Sequence, residues 1–167
     1  MFEEIRLAGT GENIVVETRR GRQVANSIEP EPGDRERRLY NLRRGRFGRS
    51  WRLRKPPCGA YNCYGMVFAS RRTSILEDEQ VPDILTDDGY RRIEESDAMV
   101  GDLVLYRERT IGLLHVGRIT RRDDLSALHA LSKWDSASGE DEHHIRHHCW
   151  TDYGFDVRLE FWTDRPQ

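Results

Sequence analysis

Cys58-Gly59-Ala60-Tyr61-Asn62-Cys63-Tyr64-Gly65-Met66-Val67-Phe68 is the stretch from which the fold is read. Pro56, Pro57 and Gly59 keep its upstream side out of a helix, whereas Met66, Val67 and Phe68 start an apolar run that can bury one helix face. Cys63 therefore stands where a loop becomes a helix, and Ile75 and Leu76 extend that helix to about three turns. At such a boundary the unpaired backbone N–H groups and the positive end of the helix dipole favour an anion, so a thiol there ionises more readily than a free cysteine. The competing reading is a small buried hydrophobe opening a core helix.

Downstream, a second helix is predicted over 81–88, stopped by Gly89. Residues 90–93 fit no single element. Met99, Val100, Gly101 and Asp102 make a turn into the apolar run Leu103-Val104-Leu105-Tyr106, a buried strand. After a loop at 110–112, residues 113–120 read as its antiparallel partner, with His115, Gly117 and Ile119 on one face. A charged turn at 121–124 leads to a third strand over 128–134. Phe155, Val157, Leu159 and Phe161 alternate along a last strand over 155–162.

Three pieces now carry a resemblance: Asn62-Cys63-Tyr64-Gly65-Met66-Val67, then Gly101-Asp102-Leu103-Val104, then His115-Val116-Gly117-Arg118-Ile119. Their order and spacing are similar to those of the NlpC-type papain-like cysteine hydrolases, in which a Cys opens a helix, a Gly-Asp-Leu precedes one strand and a His-Val-Gly starts the next. Asn62 stands where that pattern has aspartate, and Tyr64 where it has serine. Ser132-Lys133-Trp134, a later histidine and Tyr153-Gly154 resemble an uncharacterised bacterial subset of the same group. The resemblance implies an α+β papain-like domain, its main helix packed on an antiparallel sheet. It also implies hydrolysis of an amide, peptide or isopeptide bond by a Cys63 thiolate and a His115 base through an acyl-enzyme, with no cofactor and no metal. The Cys63 N–H and a neighbour, Asn62 among the candidates, would hold the oxyanion. His144 is the preferred residue to orient His115, with His129 and Ser132 as alternatives.

The other motifs are read from the residues alone. If 143–149 is helical, His143 with His147 or His144 with His148 stand one turn apart, and Cys149 or Cys58 could complete a zinc site; a histidine patch without a ligand is the commoner outcome. Residues 35–55 hold ten basic side chains against the single acid Glu36, interleaved with Leu39, Tyr40, Leu42, Phe47, Trp51 and Leu53. Such a stretch binds nucleic acid or packs as an arm whose arginines face an acidic domain. The arm is preferred, because no nucleic-acid signature accompanies it. Asn13 to Thr18 alternates as a short strand before a turn at Gly21. The chain thus divides into an N-terminal strand and arginine-rich arm (1–55) and a hydrolase domain (56–167).

At 167 residues with a formal net charge of −2, the chain is long enough for one proper core, and overall charge points to no polyanionic partner. Three cysteines are too few for a disulfide framework. No span long enough for a membrane and no signal layout at 1–7 point to a cytoplasmic protein acting on a protein or peptide, with a further partner possible on the arm. The alternative is a catalytically silent papain-like module that binds protein or nucleic acid through that arm.

Overall fold

Gly101 and Gly112 both adopt positive φ, 99° and 96°, and bracket the apolar run that forms strand β5 (Leu103–Glu108). β5 pairs antiparallel with β6 (Gly112–Arg122), and β6 with β7 (Leu128–Lys133). The computed structural model describes residues 13–150 and 154–166. Within them the sheet is completed by β2 (Trp51–Lys55), β4 (Arg91–Ile93), β8 (Glu140–His144) and β9 (Val157–Thr163), in the spatial order β2-β8-β7-β6-β5-β9-β4 with every neighbouring pair antiparallel. A two-stranded ribbon joins β1 (Asn26–Ser27) to β3 (Ser74–Ile75). Three helices, α1 (Asp34–Phe47), α2 (Cys63–Phe68) and α3 (Val81–Asp87), pack on this framework, which is of the α+β class. Among the described residues no helix is long and apolar enough to cross a membrane.

Side chains alternate across each strand and divide the interior in two. Leu103, Leu105 and Val116 face α2 and α3, where they meet Met66, Val67, Val81, Ile84 and Leu85. Val104, Tyr106, Ile119, Leu128, Ala130 and Phe161 form the cluster on the opposite face, with Val157 and Leu159 of β9 packed against it. Each such fully buried aliphatic side chain contributes about 1.5–3 kcal/mol. Leu114 is an extra residue: Tyr106 pairs with His115 but Arg107 with Leu113, so the bulge returns Leu113 to the face of Val116.

The structure departs from the sequence reading in four places. α2 is six residues long, not three turns, because Ser70 and Arg71 take left-handed conformations (φ 51° and 65°) and the N–H groups of Ala69 and Arg71 both close onto the Gly65 carbonyl. Ile75 belongs instead to β3. Residues 13–18 form no strand, only a Glu17–Gln23 bridge around the turn at Gly21. Residues 35–55 are not an appendage: α1 is a helix, β2 is the edge strand of the main sheet, and a boundary after Lys55 separates no two units. Finally, the histidine run begins in a strand, β8, whereas in the sequence Trp150 and Tyr153 suggest an irregular loop and a zinc site would need a helix.

α1 docks on the sheet through charge and aromatic stacking. Arg44 Nε and Tyr40 Oη donate to Asp141 at 2.8 and 2.7 Å, and Arg43 reaches Asp135 at 2.7 Å. Trp51 stacks between Phe47 and Trp134, with ring centroids at 4.1 and 4.7 Å.

Candidate functional site

Cys63 is the first residue of α2, and Asn62 caps that helix by accepting from Gly65 N at 2.9 Å. The same Asn62 side chain accepts from Ile75 N and donates to Ile75 O, so it fastens β3 to α2. Cys63 is 7% exposed and packs with Leu103, Leu105 and Val116. His115 precedes Val116 on β6 and therefore points to the other side of the sheet. There it is fully buried, stacked on Trp134 at 4.8 Å between centroids and flanked by Tyr106 and Trp150 at 5.4 and 5.0 Å. Neither ring nitrogen has a hydrogen-bond partner among the described residues. Burial, then the fields of His143 and His148, hold the imidazole well below its usual range. The structure does not bring the thiol of Cys63 and the imidazole of His115 together, because adjacent positions of a strand face opposite ways.

Lys133 lies within electrostatic reach of Cys63. Its ammonium donates to the carbonyls of Cys58 (2.8 Å), Ser136 (3.1 Å) and Ser138, which uses all three of its protons. Burial holds the amine below its usual value, against the opposing fields of Cys58, Asp135, Glu140 and Cys63. Beside it Glu140 accepts from Tyr61 Oη and Arg71 Nε, each at 2.6 Å. Asp102, at the turn before β5, is gripped by Arg165 and by Met99 N, a structural role.

His144 and His129 do meet, although not beside His115. They are cross-strand partners on β8 and β7, with ring centroids 5.7 Å apart. Ser132 bonds His143 Nε2 at 2.9 Å on the opposite face of the sheet. Around His129 and His144 opens a cavity of about 320 Å³, lined by Arg49, Ser50, Arg52, Arg121, Asp123, His129, Glu142, His144 and His147. The period of two along β8 puts Glu140, Glu142 and His144 on one face, and β2 sets Arg52 opposite Glu142.

Hydrogen bonds fix the protons in this cavity. An Arg121 guanidinium N–H donates to His129 Nδ1 at 2.9 Å, so His129 Nε2 carries the proton and donates to Asp123 at 3.0 Å. That bond, with Ala127 N, holds the Asp123 carboxyl below its usual range. Burial pushes Glu142 up, but Arg54 and Arg121, at 2.6 and 2.9 Å, outweigh it and leave it ionised. His144 Nδ1 accepts from Arg146 N at 3.1 Å, which leaves the proton on Nε2; burial and the nearby His147, whose ring centroid is 4.9 Å away, lower its basicity. Both carboxylates of the cavity are thus matched, whereas Arg49 and Arg52 make no ion pair among the described residues.

The zinc arrangement considered for 143–149 does not form: His143 faces Ser132 and Trp134, and among the described residues no three His, Cys, Asp or Glu side chains converge as ligands. Tyr153, part of the motif that favoured His144, lies outside the described residues, as do residues 1–7. Sequence reasoning missed Arg49, Arg52, Arg121, Asp123, Glu142 and His147 as cavity residues. The signal that could have found several of them is the alternation Glu140, Glu142, His144, which marks one face of a strand. Compared with protein-family models, with curated proteins and with solved structures, the chain matches none of them.

Proposed function

We propose that this chain is a binding domain for a phosphate-bearing ligand, held in the cavity between β2, β7 and β8. The observation that carries this reading is the pair of unmatched guanidiniums, Arg49 and Arg52, facing the imidazoles of His144 and His147 in about 320 Å³. Guanidinium forks match phosphate oxygens in pairs, and a protonated Nε2 adds a further donor. The carboxylates present do not oppose an anion, because Arg54 and Arg121 neutralise Glu142, and His129 with two backbone N–H groups satisfies Asp123. Isothermal titration with a nucleoside 5′-monophosphate tests it. A saturable one-to-one isotherm is expected, weakened roughly tenfold, about 1.4 kcal/mol, in Arg52→Ala. The absence of a saturable signal, or equal binding by Arg52→Ala, refutes it.

A second reading keeps a papain-like fold and the thiol, without the Cys–His pair: cleavage of an amide or peptide bond by Cys63. It is favoured by the position of Cys63 at the capped start of α2 and by the ammonium of Lys133 nearby. It requires Cys63 to act without His115. Iodoacetamide alkylation decides it, since an activated thiol at position 63 reacts far faster than free cysteine at neutral pH, whereas a packing thiol in a core reacts more slowly.

A further inference from the structure

The outward face of α1 carries a row of arginines that no function assigned so far uses. Arg35, Arg38 and Arg46 stand at i, i+3 and i+11, within one arc of the helix and roughly 16 Å from first to last. The inward face is the one that docks, through Tyr40, Arg43, Arg44 and Phe47. All three outward arginines are exposed, and among the described residues none of them makes an ion pair. Gly48–Ser50 then turns the chain from α1 into β2, and Arg49 in that turn lines the phosphate cavity together with Arg52. Five guanidiniums without an ion pair among the described residues thus follow one another along the chain, three on the outward face of α1 and two in the cavity beyond the Gly48–Ser50 turn.

We infer that these arginines bind single-stranded nucleic acid, its phosphodiester backbone following Arg35, Arg38 and Arg46 and one terminal or flipped nucleotide entering the cavity at Arg49 and Arg52. The inference rests on the phosphate reading of the cavity and extends it from a single phosphate to a polymer. Charges spaced along a line suit a repeating anion, whereas a compact phosphorylated metabolite would use only the cavity. The cavity, at about 320 Å³, admits a single nucleotide and excludes a base-paired strand, which selects single strands over duplex. The partly exposed mix of Arg and His also matches the electrostatic groove by which sequence-tolerant single-strand binders track a backbone.

Fluorescence anisotropy of the full chain with a labelled single-stranded DNA of about 12 nucleotides tests it. With five arginines engaged, the slope of log K against log salt is expected near −3.5, and Arg35→Glu/Arg38→Glu/Arg46→Glu should weaken binding at least tenfold and flatten that slope by about 2. Because these side chains are exposed and unpaired, the triple variant should keep the wild-type melting temperature, and its titration with nucleoside monophosphate should be unchanged. Equal affinity of the triple variant for the strand, equal affinity for duplex, or equal competition by polyglutamate overturns the inference. Monophosphate binding without strand binding overturns it while leaving the cavity reading intact. Strand binding that depends on the α1 arginines, but is insensitive to Arg52→Ala and to monophosphate competition, overturns the inference too, and the monophosphate titration then decides the cavity reading by itself.

Discussion

Gly65 has no room for a side chain: a Cβ there would stand 1.8 Å from the carbonyl oxygen of Thr73. The approach of the chain after α2 to the helix it has just left is therefore written into one residue, and Gly65→Ala should destabilise the protein by at least about 2 kcal/mol, read by chemical denaturation. The residue-level signals that were legible in the sequence are of this local kind. Gly89 and Gly101 sit at positive φ where a helix stop and a turn were expected, and the Asn62-Cys63 pair does open a helix. What could not be read was direction. Cys63 and His115 stand in the expected order, but His115 alternates with Val116, which packs with Cys63, and so lies on the far side of the sheet against Trp134. At His144 the sign of a pH effect follows from its surroundings. Burial and His147 depress its pKa, and a bound phosphate would favour the charged imidazole, so binding takes up a proton. Affinity for nucleoside monophosphate should rise as pH falls from 7.5 toward 6, and His144→Gln should remove most of that dependence in titrations across this range.

Strand β8 shows how an element can be invisible in a sequence. Glu140-Asp141-Glu142 has poor strand propensity, and three buried carboxylates in a row argue against a central strand. Each is rescued by an arginine from elsewhere: Arg71 for Glu140, Arg44 for Asp141, Arg54 and Arg121 for Glu142. Those partners lie 21 to 97 residues away in sequence, beyond the reach of any local pattern. The strands that were legible, β5, β6, β7 and β9, are those whose apolar alternation needs no distant compensation. The same pairing explains why α1 and β2 belong to the domain and not to a free arm. Arg44→Ala would leave Asp141, whose side chain is fully buried, without its counter-ion, and should cost about 3 kcal/mol, seen as a fall in the denaturant midpoint. Asp141→Asn, which removes the charge and keeps an acceptor for Tyr40, should cost less. The reverse order of the two variants would mean that the ion pair does not hold α1 in place.

At the scale of the whole molecule, the sheet separates two chemistries. Its α1 side encloses His115, His143 and His148 among Trp51, Tyr106, Trp134 and Trp150, and burial pulls His143 down to about 3, His148 to about 4 and His115 well below its usual range. In the unfolded chain these histidines bind protons near pH 6.5, and in the folded chain they refuse them. Stability from this cluster is therefore complete above about pH 6.5 and is lost progressively as pH falls through about 4 for His148 and about 3 for His143. These three histidines should contribute close to three protons to the uptake on unfolding at pH 5, in addition to the share of the carboxylates, measured as the pH slope of the unfolding free energy. His143→Gln should lower that uptake by about one. The other side of the sheet carries the cavity, where His129, His144 and His147 are reached by solvent. All six histidines thus report on which side a ligand binds, and an imidazole NMR titration of the full chain with a nucleoside monophosphate reads them together. The expected result is saturable movement of the His129, His144 and His147 signals, with those of His115 and His143 unmoved. Six stationary imidazoles, or movement confined to His115 and His143, would contradict a phosphate site between β2, β7 and β8.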